Sequence, residues 1–455
     1  MSVMESYRNY HCSMSDRTPV WWAMVDRPKL SSSTTHSLGQ MWDVVIIGAG
    51  FSGLWTAHHL IKGNPNLKIA ILEKNLVGSG ASGRNGGWVS ALYPAPDETL
   101  LRKSNTVAVK NLHHQLRNSI DEIGTFAAEN NIDCGFHKGG TLVIATNVGQ
   151  ERRLREHMSD EEVILDAQQT RARINMNGSR ISMFSPHCAA INPAALVVGL
   201  AASLEKKGVV IFENTAADLS SDKRVWAKGV ELKAGAVVRA MEAYHSGTRD
   251  QIPIYSLMIA TEPLPLEVFD EIGINNRETF ADASFLINYA QRTADNRLAI
   301  GGRGAPYVLG SRRKDSRENF QQIHKKLESM ARQWFPILDH HTFTHHWGGA
   351  VGVTRDWAPY LRWDGRYAEL GGYVGDGVTL SYLVAAATAD LICGNTTVRT
   401  TLPFVGWTNP LWELEPARFL AINSAIALSS VADAEEKWTG KPSLVMKALS
   451  PIIGK

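Results

Sequence analysis

Three glycines, Gly48, Gly50 and Gly53, stand directly behind the apolar run Trp42–Ile47. An apolar strand that empties into Gly-x-Gly-x-x-Gly has the form of the first turn in a dinucleotide-binding βαβ unit. Gly48 permits the tight turn, Gly50 lets backbone approach a diphosphate, and Gly53 lets the next helix lie close to the strand. That helix is expected to begin near residue 50, placing Phe51 and Ser52 in its first turn. Its unpaired N–H groups and its dipole then face the diphosphate. A second apolar run, Lys68–Leu72, ends at Glu73 and Lys74, with Glu73 lying 20 residues beyond Gly53. A carboxylate there can accept both hydroxyls of an adenosine ribose. It would repel a 2′-phosphate, which disfavours NADP.

The elements that must carry such a site alternate helix and strand. Residues 99–130 read as one helix, 139–145 as a turn and strand, and 150–160 as a solvated helix face. Pro193 suits the first turn of a helix whose Leu196, Leu200 and Leu204 form an i, i+4 stripe. Gly208 ends it, and 209–212 reads as a strand. Strands are expected at 252–260, 285–289 and 366–370, a polar helix at 314–333, an alanine-rich helix at 378–392 and a last helix centred near Ala425. Residues 1–40 read as an irregular arm pinned by Trp21 and Trp22. Between Gly78 and Trp88, five glycines fall in eleven residues. Neither a helix nor a central strand tolerates that density, whereas backbone passing close to a bulky planar ligand does.

Bulk properties exclude several classes. The 455 residues are 44% hydrophobic and 20% charged, ordinary for a globular chain of two or three domains. Lys plus Arg number 47 against 45 for Asp plus Glu, so net charge gives no case for nucleic acid or a membrane surface. No run reaches the roughly 18 apolar residues of a membrane span, and the opening segment does not read as a secretory leader. Cys12, Cys134, Cys188 and Cys393 are widely spaced and read as free thiols in a reducing compartment, so a cytoplasmic location is expected. No metal site is expected. The sequence leaves oligomeric state open.

In order along the chain, the motifs resemble the D-amino-acid oxidase-like family of FAD-dependent oxidoreductases, most of all its bacterial gamma-glutamylputrescine oxidase-like branch. The resemblance rests on Trp21-Trp22, on Gly48/Gly50/Gly53 with Glu73, and on Gly80 to Gly87. It continues through Asn192 to Leu196, Ala260 to Leu264, Asp295 to Arg303 and Gly371 to Gly377. It implies an α/β fold, α+β overall: a Rossmann-like FAD-binding domain with an inserted antiparallel-sheet substrate domain. The expected boundaries are an arm at 1–40 and an FAD-binding domain from 41–98, 185–265 and 345–400. A substrate domain takes 99–184 and 266–344, and an extension takes 401–455. By the same likeness Ala81 and Ser82 lie near the pyrophosphate, and Asn85, Gly86 and Gly87 pass beside the isoalloxazine. Gly375, Asp376 and Gly377 meet the pyrimidine end, with Val378 and Thr379 opening the last helix of the domain. One segment departs from the family pattern. Relatives carry a strand ending in Ala-Thr, where this chain reads Val237 to Tyr244, including Arg239 and Glu242. Without a cysteine near Gly80 or in 349–360, FAD is expected to be noncovalent.

The chemistry implied is oxidation of a C–N bond in a small amine or amino-acid derivative. Hydride passes to flavin N5, water hydrolyses the imine, and O2 returns the flavin to its oxidised form with release of H2O2. A dehydrogenase using a different acceptor, and a noncatalytic flavin-bound interaction protein, are the alternatives. Around the ring, Arg84 is read as either an anion or reduced-flavin contact or as structural. Trp88 is either a pocket wall or core. His346 either holds the amine deprotonated or is a satisfied structural histidine. Arg303 either orients substrate or braces the sheet. Trp347 and Tyr373 complete the expected pocket with Trp88.

Overall fold

The computed structural model describes residues 18–27, 30, 36–156, 158–159, 161–244 and 249–453. Cys12 and the Ser/Thr-rich stretch 31–35 of the arm lie outside them. With strands numbered in chain order, β1 (Met41–Ile47) sits centrally in the first sheet. It pairs in parallel with β2 (Ile69–Leu72) on one side and β11 (Val230–Arg239) on the other. β8 (Val210–Phe212) extends the β2 side, and β18 (Tyr367–Gly371) extends the β11 side, both in parallel. β17 (Tyr360–Trp363) closes that edge antiparallel to β18. A small antiparallel flap, β9 (Asp218–Leu219) and β10 (Val225–Ala227), hangs from β11.

Val44 to Ile47 and all of β2 are buried, as a parallel sheet covered on both faces requires. The covering helices include α1 (Phe51–Gly63), α2 (Thr106–Glu129) and α3 (Pro193–Lys206). Asn192 caps α3, its side chain accepting the Ala194 and Ala195 N–H groups ahead of Pro193. The expected single helix over 99–130 is two. Asp97–Leu101 stops, and Asn105 starts α2 by accepting the Ala108 N–H.

The second sheet runs β16 (Phe343–Thr354), β12 (Gln251–Thr261), β15 (Leu298–Gly302), β14 (Asn288–Arg292), β13 (Thr279–Asp282), β4 (Thr141–Ala145), β6 (Ile181–Ser185) and β5 (Val163–Leu165). It is antiparallel except for one pair, β13 with β4, which is parallel. Helix α4 (Gln321–Trp334) packs on it and starts later than the 314–333 expected. Sheet membership divides the chain differently from the expected boundaries. The segments 251–261 and 345–354, assigned with the nucleotide-binding part, pair with each other and, through β15, build the second sheet. Their β-propensity is visible in sequence; the partner that claims them is not.

A two-stranded ribbon, β3 (Trp88–Ser90) with β7 (Cys188–Ala190), lies after the glycine-rich loop. Helix α5 (Gly377–Ile392) is buried from Val378 to Asp390 and packs on α1 and α2, and α6 (Ala417–Thr439) follows it in the C-terminal extension. No helix of the described residues is long and apolar enough to cross a membrane.

Candidate active site

Three glycine-rich segments, far apart in sequence, are hydrogen-bonded into one place. The first is the β1–α1 turn. Gly48 has φ of 106°, a left-handed value that favours glycine, and its N–H donates to Leu72 O at 2.8 Å. A Cβ on Gly53 would lie 2.0 Å from Gly48 O, so α1 approaches the turn as closely as the spacing implied. The N-cap Gly50 has no side chain to satisfy the first turn of α1; Ser82 Oγ accepts the Phe51 N–H at 2.9 Å. Glu73 closes the turn from below, its two oxygens accepting the Ala49 and Asn75 N–H groups at 2.9 Å each. Burial raises its pKa while those two N–H groups oppose the shift. Lys74 is exposed beside it.

The second segment winds through a 3-10 turn, Ala81–Gly83, into β3. Asn85 organises it: its amide donates to Ala81 O and Ser82 O and accepts the Gly87 N–H at 2.8 Å. Gly87 has φ of 69°, and a Cβ there would meet Gln291 Nε2 at 2.1 Å. Two indoles hold this turn from behind. Trp21 Nε1 donates to Asn85 O at 2.8 Å, and Trp347 Nε1 donates to Arg84 O at 2.9 Å. The two rings meet edge to face, 6.0 Å apart. The third segment, Gly371 to Gly377, leads into α5. Tyr373 is buried, with its hydroxyl 3.0 Å from Ser52 Oγ, which ties this loop to the first turn of α1. Asp376 is the N-cap of α5 but makes no side-chain cap bond, and Val378 and Thr379 are buried in its first turn.

The protein surrounds this place with groups that suit FAD. Two helices, α1 and α5, begin here without a side-chain cap from their own N-cap residues, and helix N-termini stabilise negative charge. Trp88 Nε1 and Thr379 Oγ1 are buried there without a hydrogen-bond partner among the described residues. Buried polar atoms of that kind call for an outside partner. No group of three or more His, Cys, Asp or Glu side chains among the described residues could hold a metal ion. The profile of the FAD dependent oxidoreductase (DAO) family matches residues 43–391, which takes in all three segments. The chain belongs to this family. It is an FAD-dependent oxidoreductase.

Within the family, the chain is 26% identical to gamma-glutamylputrescine oxidoreductase of Escherichia coli strain K12, over 78% of this chain and 84% of that protein. It is 27% identical to the probable oxidoreductase OrdL of Rhizobium meliloti strain 1021, over the same shares of each. Glycine oxidase from Geobacillus kaustophilus shares the fold, with a TM-score of 0.67 at 22% identity, covering 80% of this chain and 98% of that one.

The five expected pocket and catalytic residues in or beside the second sheet have different fates. Arg84 is committed to the protein: its guanidinium donates to Ser79 O at 2.8 Å and to Gly348 O and Glu318 at 3.2 Å. Arg313 shares Glu318 at 3.1 Å. That is the structural role left open above. His346 does not join the site. Side chains alternate along β16, so His346 and Trp347 point to opposite faces. Trp347 reaches Arg84, while His346 Nε2 lies 2.6 Å from Glu328 on α4. Arg303 stands at the end of β15, donating to Val374 O at 3.0 Å and lying over the Trp357 ring. It therefore touches the third loop. Trp88 stacks edge to face on Tyr289, 5.9 Å between centroids.

Sequence reasoning missed Tyr289 and Gln291. The Tyr289 ring fills the space where a Cβ on Gly86 or Gly301 would be, and its hydroxyl lies 3.0 Å from Ser256 Oγ. Gln291, two residues along the same strand, donates to Gly86 O, Gly87 O and Ile191 O. A signal did exist: Gly86, Gly87 and Gly301 each leave room for something bulky.

Proposed function

We propose that the protein oxidises the C–N bond of a small amine or amino-acid derivative, with O2 as terminal acceptor and noncovalent FAD. The observation that carries this reading is the union of the three glycine segments by Phe51–Ser82 and Ser52–Tyr373 into one place, bordered by Trp347 and Gln291 of the second sheet. Bound FAD supplies the two-electron acceptor. The first turn of α1, with Gly50, Phe51, Ser52 and Gly53, receives the diphosphate beside Ala81 and Ser82. Glu73 has lone pairs left for the ribose hydroxyls. Asn85, Gly86 and Gly87 shape the backbone that lies against the ring system. Gly375, Asp376 and Gly377 present the α5 N-terminus to its pyrimidine end, where the dipole favours negative charge.

On the substrate side, Trp88, Tyr289 and Arg303 line the border between the loops and the second sheet. Arg303 offers guanidinium donors to a substrate carboxylate or other anion, and the aromatic rings exclude water. The amine must be neutral at the moment its C–H bond breaks. The names of the relatives, a gamma-glutamylputrescine oxidoreductase and a glycine oxidase, support an amine or amino-acid substrate. The Val237 to Tyr244 departure gives little support to a noncatalytic reading, because β11 keeps its register with β1 and β18 through Arg239. An anaerobic panel of polyamines, their acyl derivatives, N-methyl amino acids, D-amino acids and aminophosphonates tests the proposal. At least one class should bleach the oxidised-flavin absorbance, and air should restore it faster than an artificial acceptor. A yellow protein that no class bleaches would sink the proposal; recovery only with the artificial acceptor would replace oxidase by dehydrogenase.

A further inference from the structure

Glu242 is where the chain departs from the family pattern, and its side chain does something the sequence does not announce. It adopts a φ of 44°, a left-handed value unusual for a residue with a side chain. That conformation turns its carboxyl into the interior, between the two sheets. Oε1 accepts the N–H of Gly352, on β16, and the N–H of Tyr373, each at 3.2 Å. Oε2 accepts the N–H of Gly372 at 2.9 Å. One carboxylate therefore joins a strand of the second sheet to the start of the third glycine loop. Space is made for it on both sides. A Cβ on Gly352 would lie 2.7 Å from Oε1, and one on Gly371 would lie 2.7 Å from Oε2.

Among the described residues, no cation is paired with this carboxylate. Gln251, on β12, donates to the Glu242 main-chain oxygen. The titratable groups facing it are the Tyr360 hydroxyl from β17 and the Tyr373 side chain from the loop; Glu242 contributes to raising both, after burial. Beyond them lie Arg362 with Asp250, Arg362 with Glu369, and Arg239 with Glu369, already paired with one another. Three backbone N–H groups are thus the chief compensation for a buried charge. Burial pushes the Glu242 pKa up to about 7, with those N–H groups opposing the shift.

We propose that Glu242 is a positioning residue for the flavin: its ionised carboxylate holds the Gly371–Gly377 loop in the shape that receives the pyrimidine end, and its protonation loosens FAD. This rests on the reading that the loop meets the flavin. A neutral carboxyl accepts these N–H groups more weakly, and removing the acceptor leaves buried donors unpaired. The sign follows from the raised pKa. The holding form is present above neutrality and is lost as pH falls through about 7.

The test is FAD dissociation from the holoenzyme, followed by the fluorescence of released flavin and by the absorption band of the bound form. In the natural protein the dissociation constant should rise about ten-fold between about pH 8 and about pH 6, with a matching spectral change. In Glu242→Gln, FAD should bind about ten-fold more weakly at the upper pH and show no such pH step. A natural protein with flat affinity and spectrum across that range overturns the inference. So does a Glu242→Gln protein that keeps the pH step. If that variant fails to fold, the titration of the natural protein decides alone. A natural protein that takes up no FAD at any pH overturns the flavin placement itself, and this inference with it.

Discussion

Trp21 is separated by 64 residues from the carbonyl it serves, yet the Arg84–Asn85 turn depends on it. Successive carbonyls of that turn, Arg84 O and Asn85 O, each take an indole N–H, one from β16 and one from the arm. Both indoles are fully buried, and Asn192 donates its side-chain amide to Trp21 O, so the arm is anchored at two points. Trp21→Phe keeps the ring against Trp347 but deletes the donor. Losing one such bond costs about 1 kcal/mol, so FAD affinity should fall roughly five-fold, measured by titration of the apoprotein. Trp347→Phe should do the same. Because the two act on one turn, the double variant should lose less than the sum of the singles; strict additivity would show that the turn does not respond as a unit. Glycine spacing made the front of this site legible from sequence, since a tight turn and a close helix approach demand residues of that type. The back of it, Gln291, Glu242 and Glu318, was not legible. Those side chains come from strands and loops more than 100 residues away, and nothing local in their sequence marks the partner.

At the scale of elements, local signals placed β1, α1, β2, α3 and α5 within a residue or two, because each combines an apolar period with a capping or breaking residue. The misplaced elements have different causes: the local Asn105 cap splits the helix expected over 99–130, and a long-range polar contact overrides propensity at 285–289. The strand expected at 285–289 begins only at Asn288, because Asp433 on α6 accepts the Phe285 and Leu286 N–H groups and holds them out of the ladder. The face on which His346 lies also depends on which side of the second sheet is covered by α4, which the sequence does not state. Helix α1 carries a further consequence. His58 packs edge to face on Trp55 and Phe126, and His59 packs on Tyr382 from α5. His58 Nδ1 and His59 Nε2 are buried without partners among the described residues. Burial, followed by Lys207 and Lys62, lowers the His58 pKa to about 4; burial also pushes His59 well down. The unfolded chain takes up protons first, so stability is complete above about pH 6.5 and is lost as pH falls towards about 4. His58 alone should account for up to about 3 kcal/mol of that loss. Chemical denaturation across the range should show it, and His58→Leu should flatten the acid limb. A variant whose acid limb matched the natural protein's would refute the assignment to His58.

For the whole molecule, the two ends of the chain hold different loops of the site. The arm braces the Arg84–Asn85 turn, and its Trp21 packs on Trp347 of the second sheet. The C-terminal extension first lies along β17 of the first sheet, where Phe404 O accepts the Leu361 N–H, and from Glu415 onward it holds loops of the second. Glu415 accepts from the Tyr307 hydroxyl and the Gly310 N–H, and Asn423 accepts the Tyr307 N–H at 3.0 Å. Glu436 is fully buried and pairs with Arg153, and Asp433 holds Phe285 and Leu286. The extension lies past the 43–391 span shared with the family, yet it fixes the loops that flank β14 and follow β15, where Tyr289 and Arg303 stand. Disturbing it should therefore separate substrate handling from cofactor retention. Asp433→Ala leaves two main-chain N–H groups without their acceptor at a part-buried site, a cost of about 2 kcal/mol in unfolding free energy. The geometry of β14 should relax with it, raising KM for whichever amine the panel identifies, while the FAD dissociation constant stays within about two-fold of the natural value. Trp21→Phe should show the reverse, a weaker hold on FAD with KM nearly unchanged. If Asp433→Ala released FAD as readily as Trp21→Phe does, the two ends would be acting on the same part of the site, and the division of labour between arm and extension would fail.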